Sequence, residues 1–291
     1  MNTVRAFQWM IKNDIQNSPK ATFVTGTVGN DQYSQFLKEK ANQAGVVHNF
    51  IPTKEPNMPT GTCAVILTKG GRHRSLVSNL AAGKFFDHTK LEKAKMEKAE
   101  YFYSAGFFLT TKGGPEALKI LGQHAIQNNK TFMINLSAPF IPKFFKKELS
   151  VILPYTDIVL CNKEEALAWA RNFGFGKLAE QENMKKIAVE MSNYRKYSHQ
   201  QRPRLIVITN GKKSVTMAQN QSTKIFKVPK IKKENFVDTN GAGDAFVAGV
   251  IAGLVYNKDI DECFVLGNRM ATAVISMPGC TFPGENEFYL S

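Results

Sequence analysis

One segment of the chain combines a glycine-rich turn, an apolar helical pattern and a carboxylate. Residues 238–246 read Asp-Thr-Asn-Gly-Ala-Gly-Asp-Ala-Phe. Backbone N–H groups at Gly241, Ala242 and Gly243 can converge on an anion, because small residues let a ligand approach and a helix N-terminus carries partial positive charge. Asp244 beside such a cradle would repel phosphate, so it is better suited to take a proton from an attacking hydroxyl. This pairing indicates phosphoryl transfer to an alcohol.

The same composition also has a purely structural interpretation. Asn and Asp cap helices and glycine often opens them, so the segment alone could be a helix start without chemistry. It also fails two common phosphate-loop patterns, because the dinucleotide fingerprint needs glycine at Phe246 and no stretch of the chain matches the Walker pattern. A kinase of another kind is therefore expected.

The segment 238–246 resembles the C-terminal signature of the ribokinase-like (PfkB) sugar and nucleoside kinases. Five further segments narrow the resemblance to the adenosine kinases: 59–65, 74–80, 103–110, 135–140 and 279–283. The resemblance implies transfer of the ATP γ-phosphate to the 5′-hydroxyl of adenosine. It also implies an α/β fold, in which a doubly wound, mostly parallel sheet is flanked by helices and carries a small β lid.

The chain opens at Met1 with a pattern that resembles the family's first long helix. We therefore expect one ribokinase-like kinase domain over residues 1–291 that lacks the family's N-terminal segment, several dozen residues long. In the family that segment carries the first strand, an aspartate that grips the ribose hydroxyls, and a pair of glycines. Lid strands are expected within about residues 46–80, and the lid is expected to be incomplete.

The resemblance assigns catalytic roles to a few residues. Asp244 is the expected base, Gly241, Ala242 and Gly243 are the anion cradle, and Arg74 resembles the arginine that closes onto the transferred phosphate. Arg74 could also be a surface charge at the edge of the lid.

Asn162 and Glu165 match the family's Asn-x-x-Glu motif, which organises Mg²⁺ and its waters near the ATP phosphates. From the residues alone, helix capping by Asn162 is the stronger interpretation, and the resemblance favours the metal role. Thr209 and Gly211 resemble the family's nucleotide-contacting turn, although without the family they would form a plain turn.

The acceptor site also follows from the resemblance. Phe140 resembles the aromatic residue that stacks on adenine, and Asn2 corresponds to an asparagine bonded to a ribose hydroxyl. Cys63, Leu76 and Leu80 correspond to apolar contacts from the lid. Each apolar residue alone would be assigned to the core.

Other functions remain open from the sequence. Another ribokinase-like sugar or nucleoside kinase would share the Asp244 chemistry and differ at Phe140 and the lid. A regulatory remnant would bind ATP without turnover. A nucleic-acid binder is suggested by the formal charge of +14, yet the densest basic run, 224–233, alternates lysine with apolar residues as on the outer face of a strand.

Composition favours an ordinary globular enzyme, with 43% hydrophobic and 21% charged residues. The sequence contains no apolar run long enough for a membrane span and no secretion signal, so we expect a cytoplasmic protein, with the nucleus as a second location. A monomer is expected as a separate prediction. The four cysteines are widely spaced and are expected to be reduced and mostly buried.

Elements that could position these residues alternate along the chain. Strand-like runs at 101–109, 131–136, 157–161 and 204–209 alternate with helical patterns at 116–127 and 163–173, which is typical of a parallel sheet. Strands at 214–218 and 224–228 are expected to be antiparallel. Helices are expected at 240–256 and 261–275, and the polar stretch 195–204 is expected to be a solvated loop.

Overall fold

The computed structural model describes residues 1–12, 20–197, 202–284 and 288. Its strands are β1 (Phe23–Val28), β2 (Val47–Pro52), β3 (Thr62–Thr68), β4 (His73–Asn79), β5 (Tyr101–Ala105), β6 (Thr131–Asn135), β7 (Ile158–Asn162), β8 (Leu205–Thr209), β9 (Ser214–Gln219) and β10 (Ser222–Lys227). Its α-helices are α1 (Asn2–Ile11), α2 (Gln32–Gln43), α3 (Lys93–Lys98), α4 (Gly114–Gln127), α5 (Phe140–Phe144), α6 (Lys146–Ile152), α7 (Lys163–Asn172), α8 (Gly176–Glu180), α9 (Met184–Asn193), α10 (Ala242–Val255) and α11 (Ile260–Ile275).

The chain forms two compact units. The first unit comprises Met1–Gly83 and Pro229–Ser291, and the second comprises Lys84–Val228.

The second unit is built on a six-stranded sheet in the order β10-β9-β8-β7-β6-β5. Strands β5 to β8 are parallel, whereas β9 and β10 are antiparallel to their neighbours. The central strands are continuous apolar runs, such as Leu-Ile-Val-Ile in β8, because helices cover parallel strands on their faces. The predicted α/β class and the antiparallel pair are confirmed.

Helices pack on this sheet through one large apolar cluster. Leu118 of α4, Trp169 of α7 and Ile187 of α9 are fully buried in it with Phe132 and Ile206 of the strands. The sequence placed the helices at 116–127 and 163–173 within about two residues of their observed ends.

The first unit is held by α1, α10 and α11. Ala6 and Met10 of α1 pack against Ala248 of α10 and Met270 of α11, all with no exposed surface. Small residues on α10 let the neighbouring helices approach closely.

This unit also contains two small sheets. Strands β1 and β2 form a parallel pair, and β3 and β4 form an antiparallel hairpin, which we call the lid hairpin (residues 62–79). Every residue of both lid strands is exposed. The strand-rich character predicted for 46–80 is confirmed.

Lysine exposure on β10 and the free thiols agree with the sequence expectations, but only two of the four cysteines are buried. Lys224 and Lys227 lie exposed on the outer strand β10. The four thiols are free: Cys161 and Cys263 are buried, Cys280 is half-buried and Cys63 is exposed. Among the described helices, none combines the length and the apolar character that a membrane span requires.

The expectation of a solvated loop over 195–204 is wrong for Arg204, and residues 198–201 of this stretch lie outside the described residues. Arg204 is 1% exposed and donates to five backbone carbonyls, those of Leu153, Thr156, Met191, Tyr194 and Arg195. Burial lowers the pKa of the Arg204 guanidinium to about 10, which still leaves it charged at neutral pH. Five donors in a planar fork match five carbonyls, of which Leu153 O also accepts from the Thr156 N–H.

We therefore predict that Arg204→Ala lowers the free energy of unfolding by about 3 kcal/mol or more, because several buried carbonyls lose a charged donor. Urea denaturation followed by circular dichroism measures this. The control is Arg195→Ala, since Arg195 is exposed and should cost less than about 0.5 kcal/mol. Equal midpoints for the two variants would contradict the role of Arg204.

Candidate active site

The glycine-rich turn ends in a left-handed residue at the start of α10. Gly241 has φ +76°, a conformation that glycine adopts without strain. A Cβ at this position would also lie 2.5 Å from the Cys280 sulfur, closer than real contacts allow. Both restrictions select glycine at the N-cap, so the first helical residue is Ala242.

A buried carboxylate holds the turn. Asp238 is 3% exposed, and its two oxygens accept from the N–H groups of Asn240 at 2.6 Å and Gly279 at 2.8 Å. The sequence analysis assigned no role to Asp238. An aspartate two residues before an Asn-Gly pair is a turn signal that could have identified it.

Asp244 lies in the first turn of α10 and is half-buried. Its Oδ2 accepts from Asn2 Nδ2 at 3.0 Å, and its Oδ1 accepts from Thr3 Oγ1 at 3.2 Å. The helix dipole favours a negative charge at this position. The structure thus joins two residues that the sequence analysis assigned separately, Asn2 to the ribose and Asp244 to proton transfer, and adds Thr3.

The cradle residues differ in their surroundings. The N–H of Ala242 donates to Thr239 O at 3.3 Å, a long bond within the turn. Gly243 is exposed, and a Cβ added there would meet no atom within 4 Å. The space beside Gly243 is therefore open to a ligand, and the first N–H groups of a helix have no acceptor inside the helix.

Arg74 reaches the same turn from the lid hairpin. Its Nη1 donates to Thr239 O at 3.0 Å and lies 3.4 Å from Thr239 Oγ1. The tip of the hairpin contacts this turn too, since the Thr239 N–H donates to Gly71 O at 3.2 Å. A Cβ on Gly71 would lie 2.2 Å from Val237 O, which explains glycine at the tip.

The lid residues assigned to the acceptor share one face with Arg74. Cys63 pairs with Ser78, Val65 with Leu76, and Leu67 with Arg74, and directly opposed residues project to the same side. Leu76 is 51% exposed. Leu80, which follows the hairpin, is half-buried.

Asp31 holds Thr60, just before the first strand of the lid hairpin, and is another residue with no role assigned from the sequence. As N-cap of α2 it accepts from Ser34 N at 2.9 Å, and it also accepts from the Thr60 hydroxyl and the Thr60 N–H, both at 2.7 Å. These bonds, led by that of the Thr60 hydroxyl, lower the pKa of the Asp31 carboxyl. Gly29 N donates to Thr60 Oγ1 at 2.9 Å and completes the link to β1.

In the second unit, Asn162 and Glu165 form a reciprocal helix cap. Asn162 Oδ1 accepts from Glu165 N at 3.0 Å, and Glu165 Oε2 accepts from Asn162 N at 2.9 Å. Asn162 Nδ2 donates to Glu165 Oε1 at 2.6 Å. The capping interpretation is confirmed, and it places a carboxylate that is only 4% exposed at the end of β7.

The predicted nucleotide turn lies beside this cap. Asn162 and Thr209 are register partners on the parallel strands β7 and β8, so their side chains emerge at one edge of the sheet. The Thr209 hydroxyl lies 3.4 Å from Cys161 O, and Gly211 is exposed with φ +52°. Ligands of such sheets collect beyond the carboxyl ends of the strands.

Phe140 opens α5 in the same unit and is 38% exposed. Its ring meets Phe107 at 5.6 Å and Phe145 at 6.4 Å, both inclined at 63°. One part of the ring is thus packed and another part is free for stacking.

The donor set at Asn162 and Glu165 fits Mg²⁺ through its waters. Amide and carboxylate oxygens suit this ion, which keeps most of its waters. Each Glu165 oxygen already accepts one bond from Asn162, so a cation would have to use the remaining lone pairs of the carboxylate. Over the described ranges, no group of three or more His, Cys, Asp or Glu side chains forms a metal cage.

Cys280 adds no charge to the cradle. Burial, and after it the Asp244 carboxylate, raise the pKa of the Cys280 thiol to about 11. The thiol therefore stays neutral beside Gly241 at physiological pH.

Comparison with known proteins agrees with this geometry. The chain is 40% identical to Adenosine kinase 2 of Arabidopsis thaliana over 99% of its own length and 80% of the relative's. It is 35% identical to the adenosine kinase of Schizosaccharomyces pombe, over 97% of its length and 80% of the relative's.

Solved structures give the same result. The crystal structure of Anopheles gambiae adenosine kinase in complex with P1,P4-di(adenosine-5) tetraphosphate has a TM-score of 0.87 and 34% identity, over 99% of this chain and 81% of that one. The family model of pfkB family carbohydrate kinases matches residues 1–287. The chain, with its ribokinase-like α/β fold, therefore belongs to the pfkB family of carbohydrate kinases.

Proposed function

We propose that this chain transfers the γ-phosphate of ATP to the 5′-hydroxyl of adenosine, giving AMP and ADP. The observation that carries the proposal is the position of Asp244, in the first turn of α10 directly after the left-handed glycine turn. The similarity to adenosine kinases over nearly the whole chain supports adenosine as the acceptor.

Asp244 acts as the base. Asn2 and Thr3 each donate to one carboxylate oxygen and so fix its orientation. Each oxygen has a second lone pair, which remains available to accept the proton of the acceptor hydroxyl. Removing that proton as the oxygen attacks phosphorus raises the nucleophilicity of the acceptor.

The charge that develops on the transferred phosphoryl group is stabilised by the same turn. The N–H groups of Gly241, Ala242 and Gly243 provide the cradle at the positive end of α10. Arg74 exchanges its neutral acceptor, Thr239 O, for a phosphate oxygen, a stronger partner because it is charged.

Residues of the second unit bind the remaining groups. Phe140 stacks on the adenine of the acceptor. The resemblance to adenosine kinases also assigns Cys63, Leu76 and Leu80 to apolar contacts with the nucleoside. Thr209 and Gly211 contact ATP. Asn162 and Glu165 would hold Mg²⁺ through its waters, and the bound ion would supply positive charge to neutralise the phosphates.

The proposal includes a monomer that works in the cytoplasm, with the nucleus as a second location. Nucleic acid and membranes are not expected as main partners.

Comparing adenosine, ribose and fructose as acceptors distinguishes this function from that of a related sugar kinase.

The first test is AMP formation from adenosine and Mg·ATP by the purified chain and by Asp244→Ala. Loss of the base should lower kcat by about 10²- to 10⁴-fold with ATP affinity largely unchanged. Asp259→Ala is the matched control, because Asp259 caps the neighbouring helix α11 by accepting from Glu262 N at 2.8 Å. No AMP from the wild-type chain would refute the proposed function, and full activity of Asp244→Ala would remove Asp244 from the role of base.

Gly243→Ala should reduce turnover at least about tenfold while leaving the melting temperature unchanged. The added Cβ meets no protein atom within 4 Å, so it fills only the open space proposed for the phosphate. Gly241→Ala is the contrasting variant, since its Cβ would clash with Cys280 and should lower both turnover and melting temperature. Normal turnover of Gly243→Ala would place the phosphate elsewhere.

Glu165→Gln separates the metal role from the capping role. Glutamine also serves at this position of a capping box and loses only the acceptor for Asn162 Nδ2, so the fold should survive. The loss of charge should raise the Mg²⁺ concentration for half-maximal activity about tenfold. Glu164→Gln is the control, because Glu164 is the exposed neighbour in the same helical turn. Identical Mg²⁺ titrations for both variants would exclude a metal role for Glu165.

A further inference from the structure

A strained turn connects β6 to the aromatic residue that opens α5. Ser137 has φ +68°, in the left-handed region that residues with a Cβ rarely adopt. Such a conformation persists only where the surroundings hold it, and it is common at functional sites.

Three hydrogen bonds hold this turn. The Ser137 hydroxyl accepts from Gly106 N at 2.9 Å and donates to Asn135 O at 3.1 Å. The Ser137 N–H donates to Asn135 Oδ1 at 3.0 Å. We call Ser137, Asn135 and Gly106 the turn clamp.

The turn clamp joins the carboxyl ends of two neighbouring parallel strands. Ala105 and Asn135 are the last register partners of β5 and β6, and Gly106 follows directly. A Cβ on Gly106 would lie 2.5 Å from Leu136 O, so only glycine allows the two strand ends to approach this closely. The hydroxyl of Ser137 is the side-chain group that spans them.

Both rings of the aromatic contact depend on this clamp. Phe107 follows Gly106 in the chain, and Phe140 lies three residues after Ser137. In the segment from Leu136 to Ile141, Ala138 N donates to Leu136 O at 2.8 Å and Ile141 N donates to Ala138 O at 3.1 Å. These bonds leave the backbone between Ser137 and Phe140 little freedom. Ile141 has no exposed surface and anchors the start of α5.

We propose that Ser137 is a positioning residue that sets the orientation of the Phe140 ring through the turn clamp, and thereby the selectivity for a nucleoside over a free sugar. The inference rests on the proposed function, in which Phe140 stacks on the base. Ser137 touches no substrate in this proposal. A ring that is fixed before binding loses less rotational freedom when the base stacks on it.

Two variants test the proposal. Ser137→Ala removes the hydroxyl and keeps a Cβ in the left-handed region, whereas Ser137→Gly removes the hydroxyl and relieves the strain. Both should raise KM for adenosine about fivefold, as expected for the loss of one or two net hydrogen bonds. KM for ATP and kcat should stay within about twofold, and Ser137→Gly should remain folded even if Ser137→Ala does not.

The matched control is Ser192→Ala. Ser192 lies in the second unit too and is buried, whereas Ser137 is half-buried. The Ser192 hydroxyl lies within hydrogen-bond distance of two backbone carbonyls, Val189 O at 2.8 Å and Asn220 O at 2.9 Å. A purely structural role of Ser137 would make Ser137→Gly resemble this control, with a changed melting temperature and an unchanged KM for adenosine.

The acceptor comparison separates the two proposals. If the clamp positions the ring, kcat/KM for adenosine falls in Ser137→Gly and the value for ribose, which has no base, does not change. An equal fall for both acceptors, or no fall, overturns the inference. If the wild-type chain forms no AMP, the proposed function fails, and calorimetric binding of adenosine decides the inference. Weaker binding to Ser137→Gly than to the wild-type chain supports it, whereas equal binding to the two chains, or no binding to the wild-type chain, overturns it.

Discussion

The geometry of the candidate site in the first unit depends on the residue at which α10 begins. The two oxygens of Asp238 hold Asn240 and Gly279, and Gly241 can turn left-handed against Cys280 because it has no Cβ. Starting the helix one residue later would rotate each side chain by about 100° about the helix axis. Asp244 would then leave the donors Asn2 and Thr3, which α1 brings to it by packing along α10.

The two aspartates near the glycine turn have different environments in the structure. Asp238 is buried, and each of its oxygens accepts a backbone N–H, so its charge is compensated by the turn itself. Asp244 is half-buried, accepts hydrogen bonds from the neutral side chains of Asn2 and Thr3, and lies at the positive end of the α10 dipole. The first is suited to structure and the second to proton transfer.

The sequence predicted the elements with a periodic apolar pattern and the turn with a rare combination of residues. Apolar runs such as Leu205–Thr209 and the helical period of α10 were sufficient for the sheet and its main helices, since burial requires those patterns. Gly-Ala-Gly-Asp is an unusual combination, and it located the glycine turn at the start of α10. Arg204 was missed because an arginine in a polar stretch is usually solvated, and three of its carbonyl partners, those of Leu153, Thr156 and Met191, lie outside that stretch. The bond between Asn2 and Asp244 spans 242 positions, and no local pattern encodes such a contact.

The cap at Asn162 and Glu165 shows that a structural role and a ligand role need not compete. A capping box needs one acceptor at its third helical position, and the neutral amide of glutamine can supply it. Glu165 supplies two acceptors, because its second oxygen accepts from Asn162 Nδ2, a donor that the NH2 group of glutamine could not satisfy. Burying a carboxylate until 4% of the residue is exposed costs more than burying an amide, because the charge loses its hydration. The carboxylate is therefore fixed by the cap at the carboxyl edge of a parallel sheet, beside Thr209, which is the position that the proposed Mg²⁺ role requires.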